Sequence, residues 1–296
     1  MKIFVASDIH DDVEALRVFA DYAGAKEADR ILVLGDFSLR PYTVEDLWKL
    51  SERRDQKKDF IRKKDQHCGQ VLREMKGVLD STGIPYQVIP GNYDGNRLLE
   101  EVFGDRNVHK RNFDLGEAKA FGYGGADANP QHIILLERMG ETTHFDHQEL
   151  FNLLMFNQPD VCVIHNPPLN LCDDMFNGQN VGTPATTEYI RRSQPKLVLS
   201  GHIHEAGPYG NNPKGVRGIS GVEINGRRTI VVNPGNLGRF ELMNFPTLKT
   251  MMAFDHGTFV EMNIEADGTP RDVKQYSLQE RRGSVGEVRT LEEYTL

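Results

Sequence analysis

The two histidines that end the stretch KLVLSGHIH are the residues of this sequence best placed to do chemistry. His202 and His204 follow the apolar run at residues 197–199 and are separated by one residue. In an extended backbone, residues i and i+2 point to the same side, so both imidazoles can face one point beyond the strand. Imidazole is a common metal ligand, and the pair therefore predicts a metal site at the carboxyl end of a strand. The alternative is two unrelated histidines in a surface turn.

Recurrence of the same pattern favours the metal site. Five apolar runs of the sequence are each followed directly by side chains that bind metal ions. These side chains are Asp8 and His10, Asp36, Asn92, His165, and His202 and His204. Seven mixed oxygen and imidazole donors suit two divalent ions, and they suit Mn, Fe, Zn or Ni better than Ca or Mg. Two adjacent ions of this kind can stabilise both the attacking and the leaving oxygen in a displacement at phosphorus.

The order of these motifs resembles that of the calcineurin-like metallophosphoesterase superfamily. D-x-H, G-D, G-N-x-D, a lone histidine after a strand and G-H-x-H follow one another in this sequence, and N-P-G comes after them. The resemblance runs from Asp8 to about Asn236. It implies an α/β fold, a four-layer αββα sandwich of two mixed β-sheets flanked by helices, with the metal site at the carboxyl ends of the strands.

The resemblance also implies two metal ions that share one carboxylate. It assigns Asp8, His10, Asp36 and His204 to one ion, and Asp36, Asn92, His165 and His202 to the other. Two divalent ions, two carboxylates and a bridging hydroxide give a formal charge of about +1, which attracts an anionic phosphoryl group. The implied activity is hydrolysis of a phosphate ester by the bridging hydroxide, with catalytic roles for Asp36, Asn92, Tyr93 and Arg40.

Tyr93 and Leu39 depart from the pattern of the superfamily. Relatives often carry a histidine at the position of Tyr93, where it contacts the phosphate, and the protein-phosphatase branch orients that histidine with an aspartate at the position of Leu39. A phenol has a pKa near 10 and supplies no positive charge at neutral pH. A diester monoanion needs that charge less than a monoester dianion, so the sequence favours a phosphodiester substrate. Arg40 matches a position where some relatives contact the phosphate, and the alternative is a surface arginine.

Two other functions stay open at this point. One is a phosphomonoesterase that acts on a protein or a small molecule. The other is a non-catalytic scaffold that keeps the fold, although such a protein should have lost metal ligands and this sequence retains all seven positions.

Alternating strands and helices are needed to bring these residues together. Helical spacing of apolar residues over 13–23, between the apolar runs at 3–6 and 31–34, predicts a β-α-β unit. In such layered proteins ligands bind beyond the carboxyl ends of the strands. Further helices are predicted at residues 145–155 and 186–192, and a hairpin is predicted around residues 255–257.

Two segments interrupt this alternation. Residues 44–79 read as a charged helical insertion that contains Trp48; its apolar positions predict packing on the sheet, and the alternative is a lid or a dimerisation element through which an oligomer would form. After about Asp267 the sequence is polar and without periodicity. We therefore expect a metallophosphoesterase domain over residues 1–265 and an extended or poorly ordered polar tail over 266–296.

Composition limits the class of protein. The chain has 296 residues, of which 39% are hydrophobic and 26% are charged, as in ordinary globular proteins. The net charge of −8 argues against a generally basic surface, so nucleic acid enters only as a possible substrate. Three scattered cysteines favour a reducing compartment. The apolar run before Asp8 is too short for a secretion signal, and no run reaches the length of a membrane span, so we expect a cytoplasmic protein.

Overall fold

The computed structural model describes residues 1–38, 57–127, 140, 142–209, 217–244, 249–255, 257–281 and 284–296. Leu39, Arg40 and Trp48 lie outside the described residues, as does the first part of the predicted insertion, residues 44–56.

Helices and strands alternate along most of the chain. The described helices are α1 (Val13–Ala25), α2 (Lys57–Ser81), α3 (Asn96–Phe103), α4 (His147–Asn157) and α5 (Pro184–Ser193). The described strands are β1 (Lys2–Ala6), β2 (Arg30–Val33), β3 (Tyr86–Val88), β4 (Arg111–Leu115), β5 (Ala118–Tyr123), β6 (Val161–Ile164), β7 (Leu197–Leu199), β8 (Ile219–Ile224), β9 (Arg227–Val232), β10 (Phe240–Asn244), β11 (Lys249–Phe254), β12 (Gly257–Ile264), β13 (Pro270–Arg281) and β14 (Ser284–Thr295).

Two six-stranded sheets hold most of these strands. The first sheet has the order β14-β13-β12-β1-β2-β3, and the second has the order β4-β5-β6-β7-β9-β8. The central strands are parallel, β1 with β2 and β3 in the first sheet and β5 with β6, β7 and β9 in the second. Antiparallel strands complete both sheets, so both are mixed.

The alternation of side chains along β1 shows how the layers stack. Ile3 and Val5 belong to an apolar core that also contains Val163 and Leu199 of the second sheet, so this core lies between the sheets. Phe4 belongs to a second core, which packs the first sheet against α1, α2 and α3. A third core packs the second sheet against α4 and α5. The predicted αββα sandwich is confirmed.

Side-chain caps fix where three helices begin. Asp12 accepts a hydrogen bond from the Ala15 amide at the start of α1, and Asp146 accepts one from the Glu149 amide at the start of α4. Thr183 caps α5 in the same way, with proline as the next residue. Each cap satisfies an amide that would otherwise lack a partner in the first turn. In α2, the predicted apolar positions, among them Leu72 and Met75, are buried.

The end of the chain differs from the sequence-based expectation. Residues expected to form an extended or poorly ordered tail form β13 and β14, which extend the first sheet beyond β12. The strand pattern was hidden because polar side chains are buried on β13: Gln275 is 1% exposed and donates its side-chain amide to the Arg217 carbonyl, and Ser277 is 0% exposed. The expectation of a tail was therefore wrong.

The predicted hairpin around residues 255–257 is also wrong. β11 pairs with β10 in a separate two-stranded sheet, whereas β12 joins the first sheet. The chain at residue 255 thus passes from one sheet to another instead of folding back. Among the described residues, no helix combines the length and the apolar character needed to cross a membrane.

Candidate metal centre

The first cluster of candidate ligands combines the loops after β1 and β7. One donor atom from each of Asp8, His10 and His204 lies within 4.8 Å of the others. His204 Nε2 is 3.1 Å from Asp8 Oδ1 and 3.2 Å from His10 Nε2. The side chains of Asp8 and His10 are almost fully buried. A carboxylate and two imidazoles therefore converge on one point.

The second cluster combines the loops after β2, β6 and β7. Donor atoms of Asp36, His165 and His202 also lie within 4.8 Å of one another. His165 Nε2 is 3.6 Å from Asp36 Oδ2 and 3.2 Å from Asn92 Oδ1. Asn92 follows β3, so its amide oxygen joins the same group. The structure thus brings all seven sequence-predicted metal ligands to neighbouring strand ends; their role as ligands stays a prediction.

The backbone turns sharply at four of these residues. Asp8, His10, Asp36 and His202 have φ angles of 54°, 50°, 52° and 64°. This left-handed region is uncommon for residues other than glycine, and such conformations concentrate at functional sites. The turns direct the side chains back over the ends of the strands, where the two clusters meet.

Glycines at two loops allow this close approach. A Cβ atom on Gly91 would lie 1.9 Å from Asp36 Oδ1, and one on Gly201 would lie 1.9 Å from Ser7 Oγ. Any side chain at either position would push the carboxylate-bearing loop away. Steric crowding therefore explains why glycine precedes Asn92 in the G-N motif and His202 in the G-H motif.

The tautomer of His165 is fixed by its surroundings. Its Nδ1 lies 2.6 Å from the Leu34 carbonyl oxygen. A carbonyl only accepts hydrogen bonds, so Nδ1 carries a proton, and in the neutral imidazole the lone pair of Nε2 faces Asp36 and Asn92. Metal-binding histidines are commonly held in this way.

Electrostatics within the centre favour a cation. Burial opposes ionisation of Asp8 and Asp36, but the adjacent imidazoles hold the pKa of both carboxyl groups below its usual range. For His165, burial lowers the pKa and the two carboxylates raise it more, to about 9. For His202, burial and the nearby His165 lower the pKa to about 3. The carboxylates thus attract positive charge, which a proton on His165 supplies when no metal ion does.

Asp94 is a residue of the candidate centre that the sequence analysis did not single out. Its side chain is buried and accepts hydrogen bonds from the Phe37 amide at 3.1 Å and from the Gly91 amide at 2.8 Å. It therefore joins the loop after β2 to the loop after β3, which carry Asp36 and Asn92. Burial, and then Asp36, raise the pKa of Asp94 to about 7. The fourth position of G-N-x-D was the signal available in the sequence.

Asn233 holds the loop that carries the two C-terminal histidines. It is fully buried, and its side-chain amide donates to the carbonyls of Gly201 and Ile203 at 3.3 and 3.0 Å. The N-P-G motif that follows β9 thus positions His202 and His204 from behind.

The residues predicted to contact the phosphate are only partly described. The Tyr93 amide donates to Asp36 Oδ1 at 2.9 Å, and the tyrosine ring lies 6.5 Å from the His10 ring between centroids. Tyr93 is therefore beside the centre, as the sequence predicts. Arg40 lies outside the described residues, and its role stays a prediction.

Aromatic side chains of β10 and β11 cover the first cluster. The Phe240 ring lies 4.2 Å from the His10 ring and 4.6 Å from the His204 ring between centroids. Phe254 stacks on Phe240 at 4.9 Å and also faces His204. The sequence analysis missed these residues because nothing in a single sequence indicates that β10 and β11 fold over the strand ends.

Arg239 anchors this pair of strands to the centre. Its Nε and Nη2 donate to the two carboxylate oxygens of Asp12 at 2.7 and 3.1 Å, and Nη2 also donates to Glu14. Asp12 lies in the same loop as His10. The ion pair therefore fixes the first residue of β10, Phe240, against the histidines.

The donor set fits two divalent ions. Each cluster offers one carboxylate and two imidazoles, and Asn92 adds a neutral oxygen to the second; this mixture suits transition metals. The donors lie at the seam between the two sheets, where five are buried and His202 and His204 are partly buried. Asp8, Asp36 and Asn92 come from the first sheet, and His165, His202 and His204 from the second.

Comparison with known proteins gives both a family and a fold. A family model described as calcineurin-like phosphoesterase matches residues 1–206. The protein TT1561 of Thermus thermophilus has a similar structure, with 17% identity and a TM-score of 0.52 over 84% of this chain and 96% of that one. A dimetal phosphatase of Danio rerio is similar with 10% identity and a TM-score of 0.50 over 98% of both chains. No curated protein matches the sequence. At these identities the structural likeness concerns the fold alone.

Proposed function

The chain belongs to the calcineurin-like phosphoesterase family, and on this premise we propose that it hydrolyses a phosphodiester with the aid of two divalent metal ions. The observation that carries the proposal is the meeting of two donor clusters at one seam. Two ions held there would supply Lewis-acid polarisation of the phosphoryl oxygens and a hydroxide nucleophile at neutral pH.

The residues around Asp36 orient the carboxylate that would be shared by two ions. Asp36 Oδ1 accepts a hydrogen bond from the Tyr93 amide, and Oδ2 faces His165. Its carboxylate is therefore oriented by the chain before any ion binds. We infer that Asp36 is the shared ligand, that Asp8, His10 and His204 complete one site, and that Asn92, His165 and His202 complete the other.

The neutral side chain of Tyr93 supports the preference for diesters. Its ring is next to His10, where an ester bound at the centre would lie. A phenol donates a hydrogen bond to a phosphoryl or leaving-group oxygen but adds no charge. A diester, with one negative charge, therefore suits this position better than a monoester with two. A monoesterase stays the second candidate, and Arg40, if it contacts the phosphate, would favour it.

Complete clusters argue against a non-catalytic scaffold. All seven donors are present, and the glycines and Asp94 that position them are also in place. A scaffold needs none of this arrangement. Manganese as the native metal, a cytoplasmic location and an oligomer formed through residues 44–79 stay predictions.

Metal analysis and a matched substrate pair test the proposal. Protein purified without chelator should contain about two divalent ions per chain. After loading with Mn²⁺, it should hydrolyse bis(p-nitrophenyl) phosphate with a higher kcat/KM than p-nitrophenyl phosphate, which has the same leaving group. Asp36→Asn should lose both the second ion and most turnover. The control is Asp105→Asn, an exposed carboxylate that belongs to neither cluster of ligands, and it should behave as the parent.

Two results would contradict the proposal. A fully loaded protein that hydrolyses neither ester would favour the scaffold. A higher kcat/KM for the monoester would favour the monoesterase.

A further inference from the structure

A cleft of about 380 Å³ opens beside the first cluster of ligands. His204 forms part of its wall, so the cleft is continuous with the candidate metal centre. Its other lining residues include Phe254, Phe176, Met252, Glu205 and Asp255. The volume lies within the range of small-molecule sites. A group attached to a phosphate at the centre would enter this cleft.

The shape of the wall favours a flat ring. Phe254 lines the cleft, and Phe240 supports it from behind in a stacked arrangement with an angle of 11° between the rings. Phe240 is itself fixed by the ion pair between Arg239 and Asp12. Phe254 is therefore held in place as a surface on which an aromatic ring can stack.

The charges of the cleft exclude a second phosphate. Its ionisable side chains other than His204 and Tyr209 are the carboxylates of Glu205 and Asp255, and no lysine or arginine in the described part of the chain lines it. A polynucleotide or a nucleoside polyphosphate would place further negative charge beside these carboxylates. The organic group of the occupant must therefore carry no further negative charge.

Two polar side chains of the cleft already donate a hydrogen bond within the protein. Thr258 already donates its hydroxyl to the Pro234 carbonyl, and Asn236 donates its side-chain amide to the Gly238 carbonyl. Glu205 is 7% exposed, and among the described residues its Oε1 has no hydrogen-bond partner. A buried carboxylate oxygen without a donor is costly. A ligand that brings an N–H group would relieve this cost.

We propose that this cleft binds the organic group of the substrate ester, and that this group is a flat aromatic ring without negative charge whose amino group faces Glu205. An amino-bearing nucleobase has this chemistry, and an aryl group shares only the ring. The proposal rests on the proposed function, because a phosphate held at the metal centre places the ring in the cleft.

Binding to the metal-loaded full-length protein tests the proposal without turnover. Calorimetry would measure the dissociation constants of inorganic phosphate, methyl phosphate, phenyl phosphate, CMP and UMP. We expect phenyl phosphate and CMP to bind about tenfold tighter than methyl phosphate because of stacking. We expect CMP to bind about fivefold tighter than UMP, because only cytosine presents an amino group to a carboxylate.

Two substitutions test the stacking of the ring and the hydrogen bond to Glu205 separately. Phe254→Leu should remove most of the advantage of phenyl phosphate and CMP over methyl phosphate, measured as the ratio of their dissociation constants within the variant. Glu205→Gln should reverse the order of CMP and UMP, because an amide also donates to the uracil oxygen. Phe156→Leu is the matched control, since Phe156 is 85% exposed on α4 and does not line the cleft.

The outcomes distinguish this proposal from the one on which it rests. If inorganic phosphate does not bind, the metal-dependent function fails and the cleft proposal fails with it. If phosphate binds but rings bind no tighter than methyl phosphate, or if Phe254→Leu changes nothing, only the cleft proposal is overturned. Equal affinities for CMP and UMP, with phenyl phosphate as tight as either, would overturn the contact between an amino group and Glu205 and identify an aryl ester.

Discussion

At the scale of single residues, the two histidines after β7 show how the two clusters of ligands are connected. His202 and His204 are neighbours in sequence but serve different clusters, since His204 faces Asp8 and His202 belongs with Asp36 and His165. The two histidines after β7 therefore connect the candidate sites. A change at either position should affect both ions, not one alone.

His202→Ala is the first test at this scale. We expect the variant to lose at least about a hundredfold in kcat/KM, because even residues behind the ligands cost that much, and to keep its fold. Circular dichroism and metal content would be measured beside activity. His144→Ala, at an exposed position, is the control. Parental activity with full metal content would refute the ligand role of His202.

Tyr93 supplies the second test. Tyr93→Phe removes one neutral hydrogen bond and should cost about tenfold in kcat/KM. Tyr93→His restores the common imidazole and should raise activity on monoesters relative to diesters, even though Leu39 cannot orient it. Matched monoesters and diesters across a series of leaving groups would be compared. A nearly inactive Tyr93→Phe with a flat leaving-group dependence would identify Tyr93 as the general acid and remove the argument for diesters.

At the scale of elements, the sequence predicted the strands that carry the centre and missed those that surround it. β1, β6 and β7 are buried on both faces and read as continuous apolar runs. β4 lies at a sheet edge, where only its last residue, Leu115, is buried and Arg111 is exposed, so its pattern is short and polar. The path of β10 and β11 over the histidines depends on contacts between residues more than 200 positions apart, such as that of Arg239 with Asp12, which a local pattern does not contain.

The attachment of β10 leads to a prediction about this ion pair. Arg239→Leu leaves the Asp12 carboxylate, whose side chain is 7% exposed, without its charged partner, and should lower the free energy of unfolding by about 1–3 kcal/mol. Urea denaturation would measure the change. Arg62→Leu is the control, because its pair with Asp59 is largely exposed and should contribute less than about 0.5 kcal/mol. Equal effects would show that the pair does not anchor β10.

At the scale of the whole molecule, the last strands are part of the fold. Removing residues 266–296 deletes Val273, Tyr276 and Leu278, which are at most 3% exposed. Burial of three such side chains contributes roughly 2 kcal/mol each, a large part of the stability of a typical domain. We expect the shortened chain to be insoluble or to melt far below the parent in a thermal scan. An unchanged melting temperature would restore the expectation of a dispensable tail.

Metal removal should also lower the thermal stability of the whole molecule. Ions that bind only the folded chain stabilise it by mass action, so a chelator should lower the melting temperature by about 5 °C or more, and Mn²⁺ should restore it. Differential scanning calorimetry would measure the shift. In Asp36→Asn the shift should shrink, because the shared ligand is lost. A parent protein indifferent to the chelator would contradict metal binding at the seam.

The first sheet takes its strands from both ends of the chain, and the second is made from the sequence between them. On the ribosome, Asp8, Asp36 and Asn92 therefore emerge long before His202 and His204, and β12, which flanks β1, emerges later still. A nascent chain holds four of the seven candidate ligands while the other three are not yet translated. Capture of both ions thus marks a chain whose translation has passed the GHIH motif and whose two sheets have already met.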